Sequence, residues 1–173
     1  MSKIWSNIIN AFKRLFKKEP VVVPPTPPDP NPPDLGVYLT QKEVKAKLRE
    51  QLAGKLSMTV SIYLPDERFY CPSLKYVEKV LADTLVDRMK YIEGTNDCDD
   101  FAWLLKAEFV KDAYRRGVRR APHCLGVVHG LLSTPHAINF MITDDMVVRF
   151  CEPQTDAVFL PRETDKNIWL LLS

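Results

Sequence analysis

Apolar residues first form a stripe near the start of the chain. Ile4, Trp5, Ile8, Ile9, Phe12, Leu15 and Phe16 recur at i, i+1, i+4, i+5 spacing. Lys3, Asn7, Asn10, Arg14, Lys17 and Lys18 lie mostly away from them, so residues 3–18 are predicted to form an amphipathic helix. The period then stops. Residues 20–34 (PVVVPPTPPDPNPPD) predict a polyproline II spacer reaching about 45 Å at roughly 3.1 Å per residue.

From residue 35 onward the pattern is that of a folded body. Thr40 and Glu43 make a capping box ahead of Val44, Leu48 and Leu52, which predicts a helix over 41–53 stopped by Gly54. Residues 57–64 alternate as a strand. Ser73 caps a second predicted helix over 74–91, with Val77, Leu81 and Leu85 at i, i+4 spacing. A third runs over 98–116 and ends at Gly117. Strands are predicted at 124–129, 136–142, 146–152 and 157–160, with another at 168–172. Helices first and an antiparallel sheet afterwards is an α+β pattern. The organisation is an amphipathic helix at 1–19, a Pro-rich linker at 20–34 and an α+β domain at 35–173.

The two central strands carry a register expectation. Ile138, Phe140 and Ile142 share one face, and Met146, Val148 and Phe150 share its match. A three-residue loop, Thr143-Asp144-Asp145, pairs Ile142 with Met146 and therefore His136 with Glu152. Directly opposed Cβ atoms lie about 5 Å apart, so an imidazole is expected beside a carboxylate.

Composition sharpens this division. Eight of the 14 prolines fall within residues 20–33. Residues 1–19 carry five basic groups and one acid, a net of +4, which leaves the rest at −2. The helix thus reads as a basic anchor for a membrane surface or a partner protein, and the alternative is a helix packed on the chain's own body. The stiff tether favours the anchor. The absence of a basic excess after residue 19 argues against nucleic-acid binding. No apolar run is long enough for a transmembrane helix, and no h-region marks a signal peptide. Cys71, Cys98, Cys124 and Cys151 show no CxxC spacing and read as reduced thiols. The expected location is the cytoplasm, at a membrane periphery or in a larger assembly.

The candidate chemistry centres on Cys98. Asn96 or Asp97 is an N-cap, which puts the thiol in a first helical turn, where the helix dipole favours thiolate. Asp99 and Asp100 oppose this. Glu152 beside His136 would orient the imidazole and stabilise its charged form. The other ring nitrogen would then take the proton of Cys98.

At these residues the chain resembles a known group. Asn96-Asp97-Cys98-Asp99-Asp100-Phe101-Ala102 resembles the nucleophile helix of papain-like and bacterial transglutaminase-like cysteine peptidases. His136-Ala137 followed by Glu152-Pro153-Gln154-Thr155 is similar to the C-terminal papain-like domain of the fungal agglutinin family, which uses a Cys–His–Glu triad. The resemblance covers about residues 90–160. It implies a papain-like fold, with Cys98 as nucleophile, His136 as general base and Glu152 as orienter. Glu152 stands where papain has asparagine, and the glutamine of papain's oxyanion hole has no counterpart before Cys98. Some agglutinin relatives depend on calcium. Here Asp97, Asp99 and Asp100 read as solvated acids, and no metal or cofactor is expected.

Other constellations are weaker. His123, Cys124 and His129 with Cys98 or His136 do not match zinc spacing, and adjacent His123 and Cys124 point apart on a strand. Cys124 and Cys151 read as core, and His129 as a strand-end histidine. Arg115, Arg116, Arg119 and Arg120 form a basic cluster at a helix end. The expected function is a thiol hydrolase that cleaves a peptide or isopeptide bond of a protein or peptide substrate through an acyl-enzyme. The alternatives are acyl transfer to an amine, and a catalytically inactive tethered interaction module on a papain-like scaffold in a viral or cell-surface assembly.

Overall fold

A computed structural model describes residues 36–115 and 121–173. The predicted helix at 3–18, the spacer at 20–34 and Arg116, Arg119 and Arg120 lie outside the described residues.

The described chain opens on a short strand, β1 (Val37–Thr40), that leads into helix α1 (Gln41–Gln51). The predicted capping box is formed: Glu43 N donates to Thr40 Oγ1 at 3.3 Å, and Thr40 N donates to Glu43 Oε2 at 2.7 Å. Two helix-end donors are satisfied reciprocally. Gly54 lies past the helix end with φ +76°. Strand β2 (Leu56–Tyr63) follows, then β3 (Arg68–Cys71), which pairs antiparallel with β1.

Helix α2 (Leu74–Asp83) starts on Ser73, which accepts from Tyr76 N at 3.2 Å. It stops eight residues short of the predicted end. Thr84 leaves the helix with φ −88° and ψ 168°, and its buried hydroxyl donates back to the Leu81 carbonyl at 3.1 Å. A β-branched residue with its own local hydrogen bond competes with helix continuation. Leu85 is left exposed, and a 3-10 turn covers Val86–Arg88.

Helix α3 (Cys98–Arg115) precedes β4 (Leu125–Leu132), β5 (Thr134–Ile142), β6 (Val148–Glu152), β7 (Ala157–Phe159) and β8 (Asp165–Leu172). Six strands make one sheet in the order β2-β8-β4-β5-β6-β7. It is a mixed sheet, not the expected antiparallel one, because β8 runs parallel to β2 and antiparallel to β4. Gly126 permits this packing: a Cβ there would collide with the Leu172 carbonyl and the Phe140 ring.

Both faces of the sheet are buried. Val44, Leu48 and Leu52 of the α1 segment pack with Ile138, Phe140, Ile142, Val148 and Phe150. On the other face, Val77 and Leu81 of α2 and Phe101, Leu105 and Phe109 of α3 pack with Leu125, Met141 and Cys151. Strand β5 is therefore apolar on both sides, and its alternation alone understates its burial. These observations correct the expected papain-like α+β class, with helices leading and an antiparallel sheet following. More described residues lie in strands than in helices, and the mixed sheet organises both cores.

The hairpin register is corrected as well. Ile142 pairs with Val148, Phe140 with Phe150 and Asn139 with Cys151. Met146 sits in the connection with φ +65°, so β6 begins two residues later than predicted. Asp145 stabilises this longer turn. Its carboxylate accepts from Arg149 Nη1 at 2.8 Å and Nη2 at 2.7 Å, and from the Thr143 hydroxyl at 2.6 Å.

Candidate functional site

The N-terminus of α3 is built by a tight turn. Asn96 N donates to the Ile92 carbonyl at 2.8 Å, and Ile92 N donates to Asn96 O at 2.9 Å. Gly94 holds φ +70°, a conformation in which glycine costs little. Phe101 N donates to Asp97 O at 3.1 Å, so Asp97 is the cap residue and Cys98 the first helical residue. Asp100 reaches back to accept from Asp97 N at 3.2 Å, one half of a capping box.

Three ligand-type atoms meet here. Those of Asp97, Cys98 and Asp99 lie within 4.8 Å of one another. The two carboxyl groups are hydrogen-bonded to each other. Asp97 is held below its ordinary value by the bond from Asp99 and by Gly94 N, while Asp99 is raised, first by that same bond and then by burial. Asp100 is occupied by its capping bond.

His136 and Glu152 meet directly. The imidazole Nε2 and the carboxylate Oε2 are 2.7 Å apart, and each side chain is 22% exposed. The second carboxylate oxygen, Oε1, accepts from Gln154 N at 3.3 Å. With Nε2 engaged by Glu152, Nδ1 faces the remaining choice of partner.

Cys98 is brought near this pair, not onto it. It is half-buried and packs with Ala102, Val127 and Ala137, the last being the neighbour of His136 in sequence. Strand alternation puts Ala137 and His136 on opposite sides of the sheet. Among the described residues no hydrogen bond joins the thiol to His136. His129 pairs with Ala137 across β4 and β5, so it stands on the thiol's side of the sheet. Burial lowers the His129 pKa, against an opposing pull from Asp99.

Asn139 ties these parts together, and the sequence reading missed it. It is fully buried, and its Nδ2 donates to the Ala102 carbonyl of α3 at 2.9 Å and to Gly126 O of β4 at 3.2 Å. The available signal was one amide inside the apolar run His136-Ala137-Ile138-Asn139-Phe140-Met141-Ile142. It fixes α3, and with it Cys98, against the two strands that carry His129 and His136.

The zinc constellation is not assembled. His123 is enclosed by rings: Tyr76 stacks on it at 5.2 Å, and Tyr70 and Phe109 meet it edge-on at 5.5 and 5.8 Å. Cys124 is buried, and its pKa is pushed up by a hydrogen bond with Cys71 and by burial. Burial also pushes Cys151 up. Both are core thiols.

The family model described as Agglutinin C-terminal matches residues 69–158. Comparison with curated proteins finds no match. Among solved structures, a PSL1a-E64 complex is 20% identical, with a TM-score of 0.66 over 79% of this chain and 50% of that one. Polyporus squamosus lectin, bound to the human-type influenza-binding epitope Neu5Aca2-6Galb1-4GlcNAc, is 21% identical, with a TM-score of 0.67 over 79% of this chain and 49% of that one. The chain thus spans about half the length of the solved chains it matches.

The expected resemblance to the agglutinin family is matched, while the superfamily and function expected from the sequence are corrected. The matches name an agglutinin family and a lectin, so membership of the papain-like and transglutaminase-like peptidases is replaced. The thiol hydrolase, the transfer of an acyl group to an amine, the inactive module on a papain-like scaffold and the peptide substrate are withdrawn on the same finding. Three short motifs, of seven, two and four residues, carry that reading, and the matched family spans all three. With residues 69–158 matched, more than half of its length, the chain belongs to the Agglutinin C-terminal family.

Proposed function

We propose that Cys98, His136 and Glu152 form the functional site of this agglutinin-type domain, a thiol site that captures a ligand bearing an electrophilic carbon. The carrying observation is the 2.7 Å contact between His136 Nε2 and Glu152 Oε2. A carboxylate on one ring nitrogen leaves the other to act as base and supports the charged imidazole. On capture of a carbonyl ligand, the sulfur of Cys98 bonds to the carbonyl carbon, the C=O π pair moves onto oxygen as an alkoxide, and the thiol proton passes to His136 Nδ1. That proton then moves to the new alkoxide oxygen. The reading concerns covalent capture and includes no turnover. Cys98 and His136 stand on opposite sides of β5, so the reading requires the strand end at Thr134–His136 to turn toward the thiol when the ligand is held.

The test is alkylation of the full chain by iodoacetamide between pH 6 and pH 8. Cys71, Cys124 and Cys151 are buried, so Cys98 dominates the reading. Cys98 is expected to react faster than a model peptide thiol, and His136→Ala to remove most of that excess. A thiol that reacts as in a model peptide, with no response to His136→Ala, overturns the site.

A second reading comes from the matched lectin, which was solved with a glycan epitope. Binding of a sialylated glycan by this chain is measured by titration with that same trisaccharide. Saturable binding supports the reading, and no binding at millimolar ligand overturns it.

A further inference from the structure

Helix α3 is apolar on two sides. Phe101, Leu105 and Phe109 are buried against the sheet and α2, and Ala113 is buried further along the helix. On the solvent side, Trp103, Ala107 and Val110 repeat at intervals of four and three, with Leu104 alongside and Tyr114 continuing the row. Trp103 is 42% exposed, Leu104 37%, Val110 57% and Tyr114 56%. A helix with a second apolar row is expected where that row, too, meets a partner.

We propose that residues 3–18 of the same chain dock as a helix on this outer row of α3. Their stripe of Ile4, Trp5, Ile8, Ile9, Phe12, Leu15 and Phe16 is unbalanced without an apolar surface. At 1.5 Å per residue, residues 3–18 would span about 24 Å as a helix, enough to cover the roughly 17 Å from Trp103 to Tyr114.

The tether begins in the right place. Gly36 lies so close to the Tyr70 ring that a Cβ there would clash. Tyr70 meets the His123 ring at 5.5 Å, and His123 meets Phe109 of α3 at 5.8 Å. The spacer therefore leaves the body two ring contacts from α3. Its reach of about 45 Å is more than twice the roughly 17 Å length of the outer row. A short tether also makes docking intramolecular, with a high effective concentration.

The test places the photo-crosslinker p-benzoylphenylalanine at position 12 of the full chain. Irradiation of monomer is expected to yield intramolecular crosslinks to peptides spanning residues 103–114. Val110→Glu, on the exposed row, is expected to reduce them at least tenfold with the thermal midpoint of the body unchanged. Ala107→Lys provides a second, independent disruption should Val110→Glu fail to fold. Crosslinks only between copies, only to added anionic vesicles, only elsewhere on the body, or insensitive to both substitutions overturn the proposal.

Discussion

His136 and Glu152 are diagonal neighbours on β5 and β6, yet their side chains meet at 2.7 Å. The ladder pairs Asn139 with Cys151, which puts Ile138 across from Glu152 and His136 one pair further on. A diagonal separation of roughly 7–8 Å between backbones is within reach of two long polar side chains. The contact therefore depends on both groups being held, Glu152 by its bond from Gln154 N and His136 by its strand.

Glu152→Gln tests that dependence. It removes the charge and keeps the shape, so the fold is expected to be retained. Alkylation of Cys98 is expected to slow by about tenfold or more, in line with the weight of a positioned base and its orienter. Rates measured from pH 6 to pH 8 check this, with Glu152→Asp expected to recover part of the loss.

Asn139→Leu should cost stability as well as positioning. It leaves the carbonyls of Ala102 and Gly126 buried without their amide donor. Each such loss costs about 1–3 kcal/mol. The expected result is a lower urea midpoint together with slower labelling of Cys98. Unchanged stability would show that Asn139 does not join α3 to the sheet.

Gly126→Ala is expected to be disproportionately destabilising for one methyl group. The new Cβ collides with backbone at Leu172, which cannot turn away as a flexible side chain can. Overpacking typically costs about 1–3 kcal/mol. Thermal unfolding should show the loss, and amides of β8 should exchange faster.

Asp145 makes stability pH-dependent in acid. The Arg149 guanidinium, foremost, holds its carboxyl well below the ordinary carboxylate range. A group depressed in the folded state stabilises above its unfolded value, about 3.9, and that contribution fades as pH falls through the lower folded value. The pair is partly exposed, so the effect is modest. Asp145→Asn is expected to flatten the acid limb of urea midpoints measured from pH 5 to pH 2.

Local chemistry was legible where one segment decides it. Thr40 and Glu43, Ser73, and the start of α3 at Cys98 each depend on residues within one turn. The face shared by His136 and Glu152 was legible for a subtler reason. The register was misjudged by two residues, and a period of two returns every side chain to the same face. Pairing between distant segments was not legible. Nothing near Leu56–Tyr63 announces that it runs parallel to Asp165–Leu172, and β1 and β3 are too short for alternation to register. The use of the site was the least legible part. The same thiol, imidazole and carboxylate serve several chemistries, and the family was fixed only over the longer span of residues 69–158.

Strand β8 has a consequence for biosynthesis. It lies between β2 and β4, yet it is made after both. While the chain emerges from the ribosome, those two strands carry open edges that cannot zip to each other in the native order. Residues 165–172 must come free of the exit tunnel before the sheet can close. Until then the nascent protein offers unpaired apolar strands to chaperones, or to its neighbours on the same polysome.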